Sequence, residues 1–328
     1  MPYRAVLMSM RVVCAASLAF AAGGVAHGQA YPAKAIRMVL PFPPGGPTDL
    51  LGRQLAQKLS EQVGQPVVAE NRPGAGGNLG TEIAAKAPAD GYTLALTSNI
   101  LAISPHLYRK LPYDSVKDFA AVSQVAQVPN VLICHPSIPA KNLNELVATA
   151  RRTPGKLTFG SGGLGTGQHL AGEMFRAASK LDMVHVPYKG SGLAMLGMMG
   201  GHIDWMVIGA PPAVPQIQGG KVRALAALSP ERIALLPNVP TANETGFPGY
   251  VVTSWYGVLA PANTPRDVIT RLNAEIAKAV TAPDARERLV GGGFEPKTTT
   301  PEQFSDFIKS EIARYGKVIR EAKLEMQP

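Results

Sequence analysis

Cysteine is almost missing from this chain: Cys14 and Cys134 are the two in 328 residues. Cys14 falls in a leader-like stretch, so Cys134 is expected to stand alone. One thiol makes neither an intrachain disulfide nor a cysteine-rich metal site. Inside Asn130-Val131-Leu132-Ile133-Cys134 it reads as a small buried hydrophobe. His106, His135, His169, His185 and His202 never fall three or four residues apart, so the usual helical metal-ligand spacing is missing and no metal is expected. Charged side chains are only 17% of the chain and apolar ones 46%, which excludes disorder and allows a real core. The net charge of +9 is dispersed and interleaved with acids. With no basic run and no basic-aromatic stripe, nucleic acid is not an expected partner. There is no Gly-Lys-Ser/Thr phosphate loop and no Gly-x-Ser-x-Gly hydrolase elbow. Gly160-x-Gly162-x-x-Gly165 matches the dinucleotide pattern in letters only. The acid that should end the following strand is missing, since Asp182 lies before that strand. No cofactor is expected.

What is present begins with a leader. Arg4 and Arg11 precede or flank a short apolar run, Val12 to Ala22, too short to cross a bilayer. Small residues follow, and Gly28-Gln29-Ala30 resembles a cleavage site. Residues 1–30 therefore read as an export signal cut near Ala30, leaving a soluble exported chain of net charge +7 once Arg4 and Arg11 are gone.

The mature chain is organised around Val39-Leu40-Pro41-Phe42-Pro43-Pro44-Gly45-Gly46-Pro47-Thr48-Asp49. Pro41, Pro43 and Pro44 stop the strand that enters. Gly46 suits an N-cap, Pro47 the first helical position and Asp49 the first turn, where the helix dipole favours an acid. The expected product is a stiff elbow at the carboxyl end of a strand, aiming main-chain N–H groups outward. Such corners bind small anions in open α/β sheets. A second glycine-rich turn follows at Asn71–Gly77, and a third strand ends on Thr97-Ser98-Asn99. The elbow design recurs at residues 157–169, through Ser161, Gly165 and Thr166. Two α/β lobes facing each other would bring both elbows to one cleft.

Between these corners, strands alternate with amphipathic helices, which predicts a parallel sheet. Leu51, Leu55, Leu59 and Val63 make one helical stripe, ended by Gly64. Ala210-Pro211-Pro212 reads as a Pro-rich turn. The last third holds three helices, the final one opened by a Thr300–Gln303 capping box and buried through Phe304, Phe307, Ile308, Ile312, Tyr315 and Ile319. Asp204, in an apolar strand, must be paired, hydrogen-bonded or at a cleft edge. What remains is a set of N–H donors, hydroxyls and amides without a catalytic engine, which describes a binding cleft. The rival reading is a secreted α/β hydrolase or transferase using Ser161 as nucleophile and His169 as base.

Tyr31-Pro32-x-Lys34-x-Ile36-Arg37, Pro41-Phe42-Pro43-Pro44-Gly45-Gly46-x-x-Asp49 and Glu70-Asn71-Arg72-Pro73-Gly74-Ala75-Gly76-Gly77 occur in this order. Ala87-x-x-Asp90-Gly91-Tyr92-Thr93-Leu94, Tyr188-Lys189-Gly190, Gly201-x-Ile203-Asp204 and Trp255-Tyr256-Gly257-x-x-Ala260-Pro261 follow. Together they resemble the substrate-binding proteins of tripartite tricarboxylate transporters, the Bug or TctC type, over essentially the whole mature chain. The resemblance implies a periplasmic α/β receptor of the two-lobed type II binding-protein fold, with the ligand cleft between the lobes. It maps one lobe onto 31–127 plus 229–328 and the other onto 128–228. It implies capture of a small carboxylate, whether a di- or tricarboxylate or an aromatic acid such as terephthalate, and delivery to membrane permease subunits. Presentation to a sensor kinase stays open beside that, and a monomer is expected. The implied ligand-binding positions are Phe42, Pro44, Gly45, Gly46, Ser98, Asn99, Ser161, Gly165, Thr166, His169 and Asp204. The Gly45/Gly46 and Gly165/Thr166 amides are expected to hold the two ends of the ligand, with Phe42 shaping the pocket. Trp205 and Ala210-Pro211-Pro212 depart from the common family pattern.

Overall fold

The computed structural model describes residues 31–321. The reading of residues 1–30 as an export signal lies outside the described residues. The chain from Lys34 onward forms one compact unit, and Tyr31–Ala33 carry no helix or strand. The elements run β1 (Ile36–Leu40), α1 (Pro47–Val63), β2 (Val67–Asn71), α2 (Asn78–Ala85), β3 (Thr93–Ser98) and α3 (Ile100–Leu107). A long strand, β4 (Phe119–Cys134), leads into α4 (Leu143–Arg152), β5 (Thr158–Ser161), α5 (Gly167–Ser179), β6 (Val184–Pro187) and α6 (Ser191–Met199). Then come β7 (Trp205–Gly209), α7 (Ala210–Gln218) and β8 (Arg223–Ala227). The last third holds β9 (Thr253–Pro261), α8 (Arg266–Thr281), α9 (Pro283–Gly291), β10 (Glu295–Pro296) and α10 (Pro301–Glu321).

Local chemistry accounts for most boundaries. Gly46 caps α1 with Pro47 in its first turn, and Gly64 ends it in the left-handed region at φ 68°. Leu51, Leu55 and Leu59 are buried as the stripe requires, each contributing about 1.5–3 kcal/mol. At α10 the Thr300 N–H donates to Gln303 Oε1 at 3.0 Å and the Gln303 N–H to Thr300 Oγ1 at 3.2 Å, a reciprocal capping box. Cys134 is fully buried and free.

The sheet order is β2-β1-β3-β9-β4-β7-β5-β6, with β8 and β10 also paired to β4. The parallel sheet expected from strand-helix alternation is present in β1, β2 and β3, within a sheet that is mixed as a whole. β1 lies parallel to β2 and β3, and β5 parallel to β6 and β7, but β4 and β9 run antiparallel to their neighbours. The reason is β4 itself. Its first part pairs with β9 up to Pro129, and its second part, from Asn130, pairs with β7 and β8. One strand thus belongs to both halves of the molecule. The return crossing lies beside it: the Leu228 N–H donates to Asn130 O, and the Val252 N–H to Leu228 O. Buried Asn130 donates from Nδ2 to Val252 O at 2.8 Å and to Ser254 Oγ at 3.1 Å. The two crossing segments are therefore held as a pair.

Two helices escape the sequence reading. Ala210-Pro211-Pro212 is the first turn of α7, where an N–H has no intrahelical partner and proline costs nothing. The helix α3 carries Pro105 and is buried almost all round, so it shows no polar face. Each half has its own core. Trp255, Phe304 and Tyr315 centre one, and Phe159, Phe175 and Trp205 the other.

Candidate functional site

Each elbow is fastened by a side chain four residues past a glycine. In the first, Asp49 Oδ2 accepts the Gly45 N–H at 3.1 Å. Its Oδ1 accepts from Asn71 Nδ2 at 3.0 Å and from Arg53 at 2.9 Å. Asn71 also donates to Phe42 O, so the end of β2 holds the elbow that follows β1. Burial raises the Asp49 pKa, but the hydrogen bonds from Arg53, Asn71 and Gly45 more than offset this and hold the carboxyl below its usual range. In the second elbow His169 Nδ1 accepts the Gly165 N–H at 3.2 Å. Thr166 caps α5 by accepting the His169 N–H, and its hydroxyl donates to Gly163 O.

The two elbows meet. Phe42 and Gly46 line a small chamber, of about 30 Å³, together with Gly162 and Thr166. The first residues of four helices converge on it: Gly46, Pro47 and Thr48 of α1, Asn99 and Ile100 of α3, Thr166, Gly167 and Gln168 of α5, and Ser191 of α6. Each N-terminus carries roughly half a positive charge in N–H groups without intrahelical acceptors. Ser98, Ser254 and Tyr256 add hydroxyls. Burial holds the Tyr256 phenol protonated, with the Ser254 and Thr48 hydroxyls beside it. Among the described residues, no lysine, arginine, histidine or acid lines this chamber.

The cleft is closed. A Cβ on Gly46 would lie 2.8 Å from Ser191 Oγ, and one on Gly76 would lie 2.7 Å from Leu164 O. The Tyr108 hydroxyl donates across the gap to Leu164 O at 3.2 Å. A second, larger chamber, about 380 Å³, adjoins the first through Phe42 and Gly162, which line both. A separate crevice between α1, α8 and α9, about 50 Å³, is lined by both members of the Lys58–Asp284 ion pair and by no residue of either elbow.

Of the expected site residues, Phe42, Gly46, Ser98, Asn99 and Thr166 line the small chamber, while Pro44 is exposed at the rim of the first elbow. Three of the four expected amide donors are spent inside their own loops. Gly45 gives its N–H to Asp49, Gly165 to His169 and Thr166 to Gly163 O. The available donors sit one to three residues on, at the starts of α1 and α5. Asn99 is in place, but its amide is engaged. Nδ2 donates to Thr253 O and to the Tyr315 hydroxyl, and Oδ1 accepts the Trp255 N–H. Ser161 is fully buried, and its Oγ contacts His185 Nε2 at 2.7 Å, not His169. The Ser161/His169 pair of the rival reading is not formed. Asp204 sits at the amino end of β7, where Oδ2 accepts from the Thr158 N–H at 2.7 Å and the Thr158 hydroxyl at 2.9 Å. That is the far end of β5 from Ser161, so Asp204 closes the sheet end and lines no cleft chamber.

His169 stacks on His185 with centroids 4.1 Å apart, directly behind the second elbow. Burial lowers the pKa of His169, with Glu173 offsetting part of the effect, and lowers that of His185 to about 3, helped by His169. Both rings are therefore neutral in the folded protein near neutral pH. Below a pH of about 6.5 the unfolded chain binds protons that the folded rings refuse, so stability falls as the solution is acidified toward the folded value. Each ring adds at most about 1.4 kcal/mol per pH unit. The midpoint of denaturant unfolding is expected to drop between about pH 6.5 and 4, and less steeply for His185→Asn. An unchanged slope in that variant would sink the assignment to His185.

Among the described residues no helix is long and apolar enough to cross a membrane, and no group of three metal-ligating side chains gathers. A family model described as "Tripartite tricarboxylate transporter family receptor" matches residues 51–324. BugT of Bordetella pertussis is 38% identical over 322 residues, covering 97% of this chain and 99% of its own. The structure of R. palustris Rpa4515 with adipate superposes with a TM-score of 0.88 at 34% identity, over 90% of this chain and 100% of that one. The periplasmic binding protein BugD superposes with a TM-score of 0.88 at 32% identity, over 90% and 100%. The two-lobed α/β binding-protein fold that the motifs imply is the fold found, and the matching proteins are receptors, not enzymes. Both the architecture and the match along most of its length show that this chain belongs to the tripartite tricarboxylate transporter receptor family.

Proposed function

We propose that the protein captures a small carboxylate in the chamber between its elbows, in the periplasm, and delivers it to the membrane subunits of a permease. The observation that carries this is the convergence of four helix N-termini on a space that holds no cationic side chain. Dipoles and hydroxyls neutralise a carboxylate without a competing ion pair, so release needs no salt bridge to break. About 30 Å³ seats roughly two water-sized groups, which suits two carboxylate oxygens. The lobes then run over 31–127 plus 229–328 and over 128–228, a division supported by the passage of β4 between its partners at Pro129–Asn130. Capture and release follow a shift between open and closed lobes about the paired crossings.

Thermal unfolding against a library of mono-, di- and tricarboxylates tests this. A cognate acid at 100 times its dissociation constant is expected to add about 2.7 kcal/mol. Indifference to every acid in the library rejects the proposal.

A further inference from the structure

One short helix touches the cleft at both ends. The eight residues of α3 start at Ile100, which lines the small chamber with Asn99, and end at Leu107, about 12 Å along. The helix is buried almost all round, so it moves with its lobe. Tyr108 follows as its C-cap, with its N–H on Ser104 O at 3.0 Å. The half-buried phenol has two main-chain acceptors. Leu164 O, across the cleft, lies at 3.2 Å, and Ala75 O, in the turn after β2, at 3.4 Å. One phenol hydrogen makes one good bond, so the two carbonyls compete for it. Burial raises the Tyr108 pKa, so the hydroxyl stays a donor. Leu164 stands between Gly163 at φ 130° and Gly165 at φ 74°, in the turn that leads to the Thr166 cap of α5. The ring packs against that turn: a Cβ on Gly165 would lie 3.0 Å from Tyr108 Cε2, and one on Gly76 would lie 2.7 Å from its hydroxyl. Among the described residues, no other side-chain hydrogen bond crosses from residues 41–108 to residues 161–192.

We infer that Tyr108 is the positioning residue that holds the cleft shut, its hydroxyl passing from Ala75 O in the open protein to Leu164 O in the closed one, so that it sets how long a bound carboxylate stays. The inference rests on the carboxylate reading above. Because Ala75 lies on the same lobe as Tyr108, opening leaves no donor unpaired and the exchange is reversible. Leu164 is two residues from Thr166, which lines the small chamber, so the bond forms only when the second elbow has reached that chamber. The carboxylate enters the open form, before the bond exists, so the bond slows release and not entry.

Stopped-flow binding and chase of whichever of citrate, malate, adipate, nicotinate and terephthalate binds most tightly tests it. Tyr108→Phe keeps the ring and removes the hydroxyl. It is expected to speed release about fivefold, with association and the unfolding midpoint of the ligand-free protein unchanged. Tyr113→Phe removes a buried phenol that donates to Asn78 Oδ1 at 2.6 Å within one lobe. It is expected to do the reverse, lowering the midpoint and leaving release alone. A Tyr108→Phe release rate within about twofold of wild type overturns the inference. So does a weaker affinity carried by association, or one matched by an equal loss of ligand-free stability; the carboxylate reading then stands. A wild type that binds none of these acids removes both.

Discussion

Gly46→Val is expected to abolish ligand binding, by about 100-fold or more, while the protein still folds. Gly46 has φ −90° and ψ 171°, an extended conformation that a β-branched residue accepts readily. Nothing local therefore resists the substitution beyond the loss of a good N-cap, which costs α1 about 1 kcal/mol at most. The damage lies across the cleft. The new Cβ would stand 2.8 Å from Ser191 Oγ, and the two methyl groups would enter a chamber of about 30 Å³. They would occupy the seat of the carboxylate and wedge α1 away from α6. Overpacking of this kind costs about 1–3 kcal/mol, and the ligand also loses donors at the start of α1. Calorimetry with the best carboxylate of the library, paired with circular dichroism and unfolding of the apo protein, reads both halves. Retained affinity would show that the elbows do not meet around the ligand.

Asn99→Ala is expected to act on the opposite quantity. It should lower the stability of the ligand-free protein by about 3 kcal/mol. Asn99 is buried at the end of β3, and three partners use its amide: Thr253 O, the Tyr315 hydroxyl and the Trp255 N–H. Truncation leaves the two β9 main-chain groups and the Tyr315 hydroxyl short of a partner, at about 1 kcal/mol each. A residue whose main task is to hold ligand would lose affinity with apo stability intact. Denaturant unfolding without ligand separates the two, and an unchanged midpoint would return Asn99 to the role its position in the sequence suggested.

Much of the fold was legible because its signals are local. Proline and glycine stop strands, cap helices and turn the chain within a few residues of where they act, as at Pro41–Pro47 and Thr300–Gln303. The apolar stripe from Leu51 to Leu59 states which face of α1 is buried. Both elbows could even have been refined by eye. Asp49 and His169 each stand four residues past the glycine whose N–H they accept, so the Gly45 and Gly165 N–H groups are engaged within their own loops. Asp204 was legible only as an acid needing a partner; that Thr158 satisfies it depends on the pairing of β5 beside β7.

By itself the sequence determined where the chain turns, which faces go inward, and that two corners rich in N–H donors were available for an anion. Tertiary structure alone decided which of those donors remain available. It brought four helix ends, from segments as far apart as Gly46 and Ser191, to one chamber, and turned Ser161 to His185 and Asn99 to β9. The physical reason is that a hydrogen-bonding group is usable only if nothing nearer has satisfied it. Its competitors are set by strand order and lobe closure, which no stretch of sequence contains.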